Sequence, residues 1–380
     1  MNDSFDLAAR KWRLLVYTDS LGIGGAEISL GHLVSNLSSD IQVAVAGVDQ
    51  SVVQAIAARR SSTAQPTQHI LPQQGVGAWL AHRQLFQHWR PDIIHFNLCT
   101  PWAGAIGLSA ALTLPDVRVV RVDQLPLRTT DALTLWRTRA LCLRVDAHVA
   151  VGETSARRME DFYALGRQSV IAIPNGVPDV NLPILSGNPS AQKLIVGSVG
   201  RLDAMKGHDI LLRAVAQVEG VQAVILGEGE QRFALEQLAN ELGIQDRVEL
   251  PGWVMDPRAY LPKFDAVALP SRSEGFPLAM VEAMLAARPV IATRVGSMPE
   301  AVIDQQTGIL IEKDDVVGLA QALTYLRDQP ERRYQLGQQS RILAKAHFTV
   351  EAMVASYEKL WDKLLTTPRQ PRLRVPRPKD

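Results

Sequence analysis

Residues 194–218 read LIVGSVGRLDAMKGHDILLRAVAQV and contain the pattern that decides the fold. The β-branched run Leu194–Val199 predicts a buried strand. A short loop with glycines at 200 and 207 follows it, and Ile210–Val218 then places its apolar residues on one helical stripe. A strand, a loop and a helix in this order form one βα unit, from which parallel sheets covered by helices are built.

The same pattern recurs along most of the chain. In the first half, the predicted strands are Arg13–Tyr17, Gln42–Gly47, Ile93–Asn97, Val117–Val122, Ala147–Val151 and Val170–Ile173. In the second half, they are Leu194–Val199, Ala223–Leu226, Val248–Leu250, Ala266–Leu269, Val290–Thr293 and Gly308–Ile311. The sequence therefore predicts an α/β chain of two doubly wound, Rossmann-like domains that face each other across a cleft, where ligands bind beyond the carboxyl ends of the strands.

The domain boundaries follow from breaks in this pattern. Residues 178–192, PDVNLPILSGNPSAQ, have three prolines and no periodicity, which predicts a linker between a first domain at 1–177 and a second at 193–349. The helical pattern of residues 350–366 has no strand partner left, so we expect it to dock back toward the first domain. Residues 367–380 form a basic, proline-rich tail for which disorder is predicted. A solubilising end is the favoured reading of the tail, and a weak anchor to acidic phospholipids is the alternative.

Composition excludes several classes of protein. The 380 residues are 47% apolar, and 40 Lys and Arg against 39 Asp and Glu give a net charge of +1, which argues against a duplex nucleic-acid partner. Two cysteines, Cys99 and Cys142, are too few for a disulfide scaffold and indicate reduced thiols. Residues 1–13, MNDSFDLAARKWR, show no apolar segment of a signal peptide. We therefore expect a cytoplasmic protein, with peripheral contact at the inner face of the membrane as an alternative.

Two cations lie in the loop that opens the second domain. Arg201 and Lys206 follow the strand Leu194–Val199 and precede a helix. Positive side chains beside a helix N-terminus suit a pyrophosphate, because fixed amides and mobile charges both point toward it. Two solvated surface charges are the alternative reading of this loop alone.

Two acids lie in residues 271–284, SRSEGFPLAMVEAM. Pro277 suits a first helical turn, after which Leu278 and Val281 belong to the buried stripe. Glu282 lies beside that stripe, where a carboxylate is costly unless it has a partner. Glu274 lies in the loop before the helix, so both acids are expected to face the same strand-end cleft. An acidic first turn that favours the helix dipole could explain Glu274 but not Glu282.

Around these acids the chain resembles the retaining glycosyltransferases of family 4, which have the GT-B fold. The resemblance rests on G-R-L-x-x-x-K-G at 200–207, L-G-E-G at 226–229, P-S-R-S-E-G-F-P at 270–277 and the E-x7-E pair. It implies that Arg201 and Lys206 hold the diphosphate of a nucleotide sugar and that Glu274 approaches the donor sugar. It also implies that Glu282 accepts hydrogen bonds from the ribose hydroxyls.

The resemblance extends to the first domain. The loop GIGGAE at 22–27 matches a glycine-rich loop of the family, which implies that Gly24 and Gly25 lie near the donor phosphate and the acceptor. Pro174 to Val177, P-N-G-V, fits the end of the first domain. At Asp123 the chain departs from the family, which often has a histidine at about that position. Three roles are open for Asp123: contact with the acceptor, contact with the donor sugar, or capping of a helix. A structural role is the alternative for His95, which is another family-like position.

These observations define one set of candidate residues. The predicted catalytic residues are Arg201, Lys206 and Glu274. The predicted donor-binding residues are Gly24, Gly25, Arg201, Lys206, Glu274, Gly275, Phe276, Pro277, Leu278 and Glu282. The residues expected on the acceptor or sugar side are His95, Asp123 and Asn175.

No cofactor and no metal are predicted beyond the donor itself. A dinucleotide fingerprint at Gly227 and Gly229 would need a third glycine where Arg232 stands, which argues against a dehydrogenase. The sequence also shows no H-E-x-x-H motif and no Cys/His cluster. The family generally uses cations and a helix dipole for the leaving diphosphate.

Taken together, the sequence predicts a retaining, metal-independent glycosyltransferase of the hexosyltransferase class. The second domain would bind a nucleotide-diphosphate sugar, and the first would bind an acceptor hydroxyl in polysaccharide, lipid-linked oligosaccharide or glycoconjugate synthesis. A sugar-nucleotide epimerase or hydrolase on the same fold is one alternative. A non-catalytic sugar-nucleotide binding protein is the other.

Overall fold

The computed structural model describes residues 12–61, 65–129, 131–180 and 193–368. These residues form two compact units. The first unit contains the chain up to Ile173 and again from Met353, and the second runs from Pro174 to Ala352.

The first unit is built on a parallel sheet in which the described residues supply seven strands. The strands are β1 Arg13–Thr18, β2 Gln42–Gly47, β3 Thr67–Ile70, β4 Ile93–Leu98, β5 Arg118–Asp123, β6 Ala147–Ala150 and β7 Val170–Ala172. Their order is β3-β2-β1-β4-β5-β6-β7, so the winding reverses between β1 and β4. Ligands of doubly wound sheets bind beyond the carboxyl ends of the strands at such a reversal.

Helices connect successive strands of this sheet. They are α1 Gly25–Asn36, α2 Gln50–Ala57, α3 Val76–Trp89, α4 Ala105–Ala111, α5 Ala132–Cys142 and α6 Glu153–Tyr163. The central strands are buried along nearly their whole length, as expected for parallel strands covered on both faces.

The second unit repeats this architecture. In the described residues its parallel sheet has the order β10-β9-β8-β11-β12-β13. The strands are β8 Leu194–Val199, β9 Val221–Leu226, β10 Val248–Gly252, β11 Ala266–Leu269, β12 Val290–Thr293 and β13 Gly308–Ile311. The α-helices are α7 His208–Ala216, α8 Arg232–Glu241, α9 Leu278–Leu285, α10 Met298–Ala301, α11 Val316–Asp328 and α12 Pro330–His347. The predicted α/β fold of two doubly wound sheets is confirmed.

The last helix, α13 Val350–Thr366, belongs to the first unit from Met353 onward. Trp361 packs edge-to-face on Trp12 with ring centroids 5.7 Å apart, and it is fully buried. This burial of large aromatic surface holds the helix on the first sheet, next to the residue that precedes β1. Within the described residues, no helix has the length and apolar composition needed to cross a bilayer.

The sequence prediction and the structure differ at residues 174–177 and at β3, and part of the predicted linker and tail lies outside the described residues. Residues 174–177 were assigned to the first domain but join the second unit, where the amide of Val177 donates to the carbonyl of Phe348 and Val177 pairs with Thr349. Strand β3 was not predicted, because it is an edge strand whose residues are mostly exposed and polar. Of the predicted linker and tail, residues 181–192 and 369–380 lie outside the described residues.

The loops after β8 and β11 approach each other at the level of the backbone. Gly207 has a φ of 66° and lies so close to the carbonyl oxygen of Pro270 that a Cβ atom would clash with it. A glycine is required at this position both for its left-handed conformation and for the close contact.

Replacing Gly207 by alanine should therefore destabilise the second unit by more than the left-handed conformation alone explains. Gly243 has the same φ of 66° but faces open space, so Gly243→Ala is a matched control with an expected cost of about 1 kcal/mol. We expect Gly207→Ala to cost about 1–3 kcal/mol more, because the Cβ overpacks the contact. Thermal unfolding of both variants measures the difference, and equal losses would contradict the close contact.

Candidate active site

The candidate site of the second unit lies where its sheet reverses winding. Strands β8 and β11 are neighbours at this point, and each ends in a loop at the same edge of the sheet. The loop after β8 carries Arg201 and Lys206, and the loop after β11 carries Glu274. Because the carboxyl ends of parallel strands meet at one edge, the two predicted motifs come together.

An ion pair joins the two loops. Lys206 Nζ lies 2.6 Å from Glu274 Oε1. The buried Ser271 donates its hydroxyl to the same carboxylate oxygen at 2.9 Å, and the hydroxyl of Thr293 donates in turn to the Ser271 carbonyl at 2.6 Å. The carboxylate of Glu274 is therefore held from two sides, with its partner cation at the edge of the sheet.

Asp203 organises the loop that carries both cations. Its Oδ1 accepts hydrogen bonds from the amides of Met205 and Lys206 at 3.0 and 3.2 Å, so it caps the short 3-10 helix Ala204–Lys206. Its Oδ2 accepts from Arg201 Nε at 2.5 Å, while the Arg201 side chain stays 67% exposed. Asp203 thus turns Arg201 toward solvent at the loop edge, a role that the sequence analysis did not assign.

Arg272 clamps the two loops together and was also missed. Its guanidinium contacts both carboxylate oxygens of Asp209 at 2.8 and 2.9 Å and the carboxylate of Asp314 at 2.6 Å. It also donates to the carbonyl of Ala204 at 2.7 Å. Hydrogen bonds and charges from Asp209 and Asp314 raise the pKa of Arg272 and hold it charged. The position of Arg272 inside P-S-R-S-E-G was the available signal, since a bidentate arginine suits this type of clamp.

The residues after Glu274 have mostly buried side chains. Phe276 and Leu278 are buried, and the Phe276 ring packs on Phe348 with centroids 5.1 Å apart. Pro277 is the N-cap of α9, and the carbonyl of Gly275 accepts from the Ser297 amide at 2.9 Å. The donor-binding role of these residues stays a prediction.

Asn175 acts on the same loop. Its Nδ2 donates to the carbonyl of Phe276 at 3.1 Å, and the side chain is buried. Asn175 thus helps to position the loop of residues 274–277, and its placement on the acceptor or sugar side stays a prediction.

Glu282 lies in a different environment from Glu274. It lines a small cavity of about 10 Å³, room for about one water molecule, together with Asp179, Arg258 and Leu285. Burial raises the pKa of Glu282 to about 7, opposed by the charge of Arg258 and reinforced by that of Asp256. Neither Glu274 nor Lys206 lines this cavity, and the expectation that both acids face one strand-end cleft stays a prediction.

In the first unit, the glycine-rich loop also follows a strand at a reversal of winding. Gly24 and Gly25 are exposed at the start of α1, and the Gly24 amide donates to Glu27 Oε2 at 2.9 Å. The other oxygen of Glu27 accepts from the Cys99 thiol at 3.2 Å, at the end of β4. Buried Glu27 thus ties the loop after β1 to the neighbouring strand, and both cysteines are free thiols, as predicted.

Comparison with known proteins places this chain in a family. The family model described as Glycosyltransferase Family 4 matches residues 23–180, and the model described as Glycosyl transferases group 1 matches residues 186–342. The chain is a member of glycosyltransferase family 4. The resemblance inferred from its motifs is thereby confirmed.

Curated relatives of this family 4 chain align over part of their length. The lipopolysaccharide core biosynthesis glycosyltransferase LpsD of Rhizobium meliloti is 29% identical over 59% of this chain and 63% of that protein. The D-inositol 3-phosphate glycosyltransferase of Segniliparus rotundus is 32% identical over 56% of this chain and 52% of that protein. The chain therefore matches less than two thirds of the length of these relatives.

Solved structures agree with the fold of the family. The Anabaena protein HepE, crystallised with UDP, superimposes with a TM-score of 0.80 at 22% identity over 93% of this chain and 100% of that one. Sucrose-phosphate synthase from Thermosynechococcus elongatus gives a TM-score of 0.77 at 20% identity, over 93% of this chain and 99% of that one. The GT-B fold class predicted from the sequence is confirmed by these neighbours.

His95 is placed differently from its prediction. In this family 4 chain, it is a buried residue of β4 whose ring packs against Tyr357 and Trp361 of α13, with centroids 5.1 and 5.7 Å away. Burial lowers the pKa of His95 to about 3, so it is neutral at ordinary pH. His95 therefore packs a helix on the sheet and does not reach the sheet edge as a ligand for an acceptor.

Asp123 is likewise a structural residue. It is fully buried at the end of β5, where its carboxylate accepts hydrogen bonds from Arg121 Nη2 at 3.0 Å and from Nε at 3.1 Å. Arg121 also donates to the carbonyl of Pro101 at 2.7 Å and lies over the Tyr163 ring. Both carboxylate oxygens face Arg121 and do not cap a helix, whereas contact with an acceptor or with the donor sugar stays a prediction.

The described residues contain no group of three or more His, Cys, Asp or Glu side chains arranged to hold a metal ion.

Replacing Asp123 by asparagine should destabilise the first unit. The amide keeps an oxygen for hydrogen bonding but leaves the buried guanidinium of Arg121 without a counter-charge, and breaking a buried pair in this way costs about 3 kcal/mol or more. The melting temperature should fall by roughly 6–12 °C for a unit of this size. Asp116→Asn, at an exposed loop position, is the control and should leave it nearly unchanged. An unchanged melting temperature in Asp123→Asn would contradict the structural role.

Replacing Glu282 by glutamine should change how stability depends on pH. Below pH 4.5, Glu282 is protonated in the folded and unfolded states, whereas above about pH 7 it is ionised in both and the folded state bears the full cost of burying the charge. The stability of the wild type relative to Glu282→Gln should therefore fall as the pH rises between these values, by at most about 3 kcal/mol. Melting temperatures across this pH range measure the effect.

The control for this pH series is Glu241→Gln, at an exposed position on α8. Its melting temperature should track that of the wild type at every pH. If the difference in melting temperature between the wild type and Glu282→Gln is the same at both ends of the pH range, Glu282 does not titrate within it.

Proposed function

We propose that this chain is a retaining, metal-independent glycosyltransferase of the hexosyltransferase class. It would move a sugar from a nucleotide-diphosphate sugar to an acceptor hydroxyl. The observation that carries the proposal is the Lys206–Glu274 pair, with Arg201 beside it, at the winding reversal of the second sheet in a family 4 chain.

The two cations suit the leaving diphosphate. Arg201 is largely exposed and is oriented by Asp203, and the Lys206 ammonium is held at the loop edge by Glu274. A bound diphosphate would compete with Glu274 for the ammonium and gain the guanidinium of Arg201 as a second partner. Because Asp203 and Arg272 fix the loop in advance, little reorganisation would be needed when charge develops on the leaving group.

The transfer step is proposed to retain the configuration at the anomeric carbon. The bond from this carbon to the leaving phosphate oxygen breaks, and the acceptor oxygen forms its bond on the same face. The proton of the acceptor hydroxyl passes to the leaving phosphate oxygen, so atoms and charge balance without a protein base. Arg201 and Lys206 stabilise the diphosphate while the acceptor attacks.

We base the proposed donor and acceptor classes on the ligands and names of similar proteins. HepE was crystallised with UDP and with UDP-glucose, which makes a uridine diphosphate sugar the first donor to test. LpsD is named for lipopolysaccharide core biosynthesis, which favours a saccharide acceptor in polysaccharide, lipid-linked oligosaccharide or glycoconjugate synthesis. The first unit, with the exposed loop of Gly24 and Gly25, is proposed to bind the acceptor and approach the donor phosphate.

We also propose a cytoplasmic location. The two free cysteines support it, since a reducing compartment preserves thiols.

Removing the charge of Lys206 should strongly lower the rate of transfer. We expect Lys206→Ala and Arg201→Ala each to lower kcat about a hundred-fold, because each removes one preorganised donor to the leaving group. The measurement is formation of the glycosylated acceptor from a panel of uridine and guanosine diphosphate sugars. Lys313→Ala, at an exposed site on the same unit, is the matched control and should keep the wild-type rate.

Two outcomes would overturn the proposal. Near-normal transfer by both folded variants would remove the assigned cations from the mechanism. Consumption of the donor at the same rate without any acceptor would identify a hydrolase, because only a transferase requires the acceptor for stoichiometric consumption of the sugar.

A further inference from the structure

Helix α5 of the first unit exposes an apolar stripe to solvent. The exposed fractions are 76% for Leu133, 70% for Trp136 and 66% for Leu143, which directly follows the last residue of the helix. Spacings of three and seven residues place these side chains on one side of the helix. The buried residues of the helix, Thr138 and Cys142, lie on the opposite side.

The stripe is unusual for a surface helix. Single exposed apolar residues are common on folded proteins, but three in line, one of them a tryptophan, form a continuous surface that the core of the unit does not use. Helix α5 also packs against α4 and α6 through its other side, so its place in the unit does not depend on the stripe.

Positive charge borders the apolar stripe. Arg137 and Arg144 are both exposed, and they lie four and eleven residues after Leu133, on the same side of the helix. Residues 132–144 include no Asp or Glu. The nearby Asp131 precedes the helix and is engaged as its N-cap, accepting from the Thr134 amide at 2.7 Å. The charge beside the stripe is therefore positive.

We propose that this surface, the α5 face, docks on an anionic lipid bilayer. The α5 face comprises Leu133, Trp136, Arg137, Leu143 and Arg144. Leucine and tryptophan on one side of a short helix, with arginines alongside, are the composition of helices that lie in the plane of the interface. Tryptophan is favoured at the depth of the headgroups, and arginines are attracted to anionic lipids.

The sheet edge next to this helix is apolar as well. Helix α5 follows the carboxyl end of β5, and the loops after β1 and β4, which reach the same edge of the sheet, expose Leu21, Ile23 and Trp102. If the first unit binds the acceptor, as the proposed function has it, this edge suits an acceptor that is itself anchored in a lipid surface. The docking of α5 does not depend on that step.

Vesicle binding by the full chain tests the proposal directly. Co-sedimentation is measured with vesicles of phosphatidylglycerol and phosphatidylcholine and with vesicles of phosphatidylcholine alone, at low and raised salt. The variants are Leu133→Ser with Trp136→Ser, and Arg137→Gln with Arg144→Gln. Their matched controls are Phe233→Ser, at an exposed apolar site on α8, and Arg158→Gln with Arg213→Gln, at two exposed arginines.

The wild type should bind anionic vesicles and bind more weakly to neutral vesicles or at raised salt, because salt screens the arginines. The apolar double variant should bind at least about ten-fold more weakly, since it removes two buried anchors from the interface. Each arginine removed should weaken binding about five-fold. Both controls should bind like the wild type, and thermal melting should show that every variant is folded.

Three results would overturn the proposal. One is a wild type that does not bind anionic vesicles. Another is binding that survives the α5 substitutions, which would assign it to another part of the chain, such as the basic residues 369–380 that all variants retain. The third is an equal loss in the control variants. No donor or acceptor is present in the assay, so its failure is distinct from a failure of the proposed transfer reaction.

Discussion

The Lys206–Glu274 ion pair depends on how closely two backbone loops approach each other. Gly207 lies against the carbonyl of Pro270, and the amide of Arg272 donates to the carbonyl of Met205 at 2.7 Å. A partly exposed ion pair stabilises a protein by about 1 kcal/mol or less, which is too little to hold two loops together. The ion pair is therefore a consequence of the backbone contact, and the contact is what the glycine at 207 permits.

Most of the fold could be predicted because buried parallel strands appear in the sequence as short apolar runs. Strands β8 and β11 are runs of apolar residues flanked by turns, and the structure places them at the predicted residues 194–199 and 266–269. Strand β3, with the sequence TQHI, lies at the edge of its sheet and buries little, so no hydrophobic pattern marks it. The boundary at residues 174–177 was misplaced because it depends on Thr349, which lies far away in the sequence.

The candidate site could be predicted only where the backbone alone brings residues together. Lys206 and Glu274 follow neighbouring strands of one sheet, so their proximity follows from topology. The roles of His95 and Asp123 depend on which way each side chain points and on what covers it, here α13 and Arg121. A sequence shows neither the direction of a side chain nor what covers it. For the same reason, the contacts of Arg272 with both loops could not be predicted.

The two acids of the E-x7-E pattern occupy opposite electrostatic environments. Glu274 has a cation and a hydroxyl as partners, so its charge is satisfied within the unit. Glu282 is half-buried with weaker compensation, and its pKa of about 7 divides it between neutral and ionised forms at neutral pH. An ionised carboxylate only accepts hydrogen bonds. Hydroxyl groups that donate to Glu282 therefore favour its ionised form, and their binding is coupled to the release of a proton from this carboxyl group.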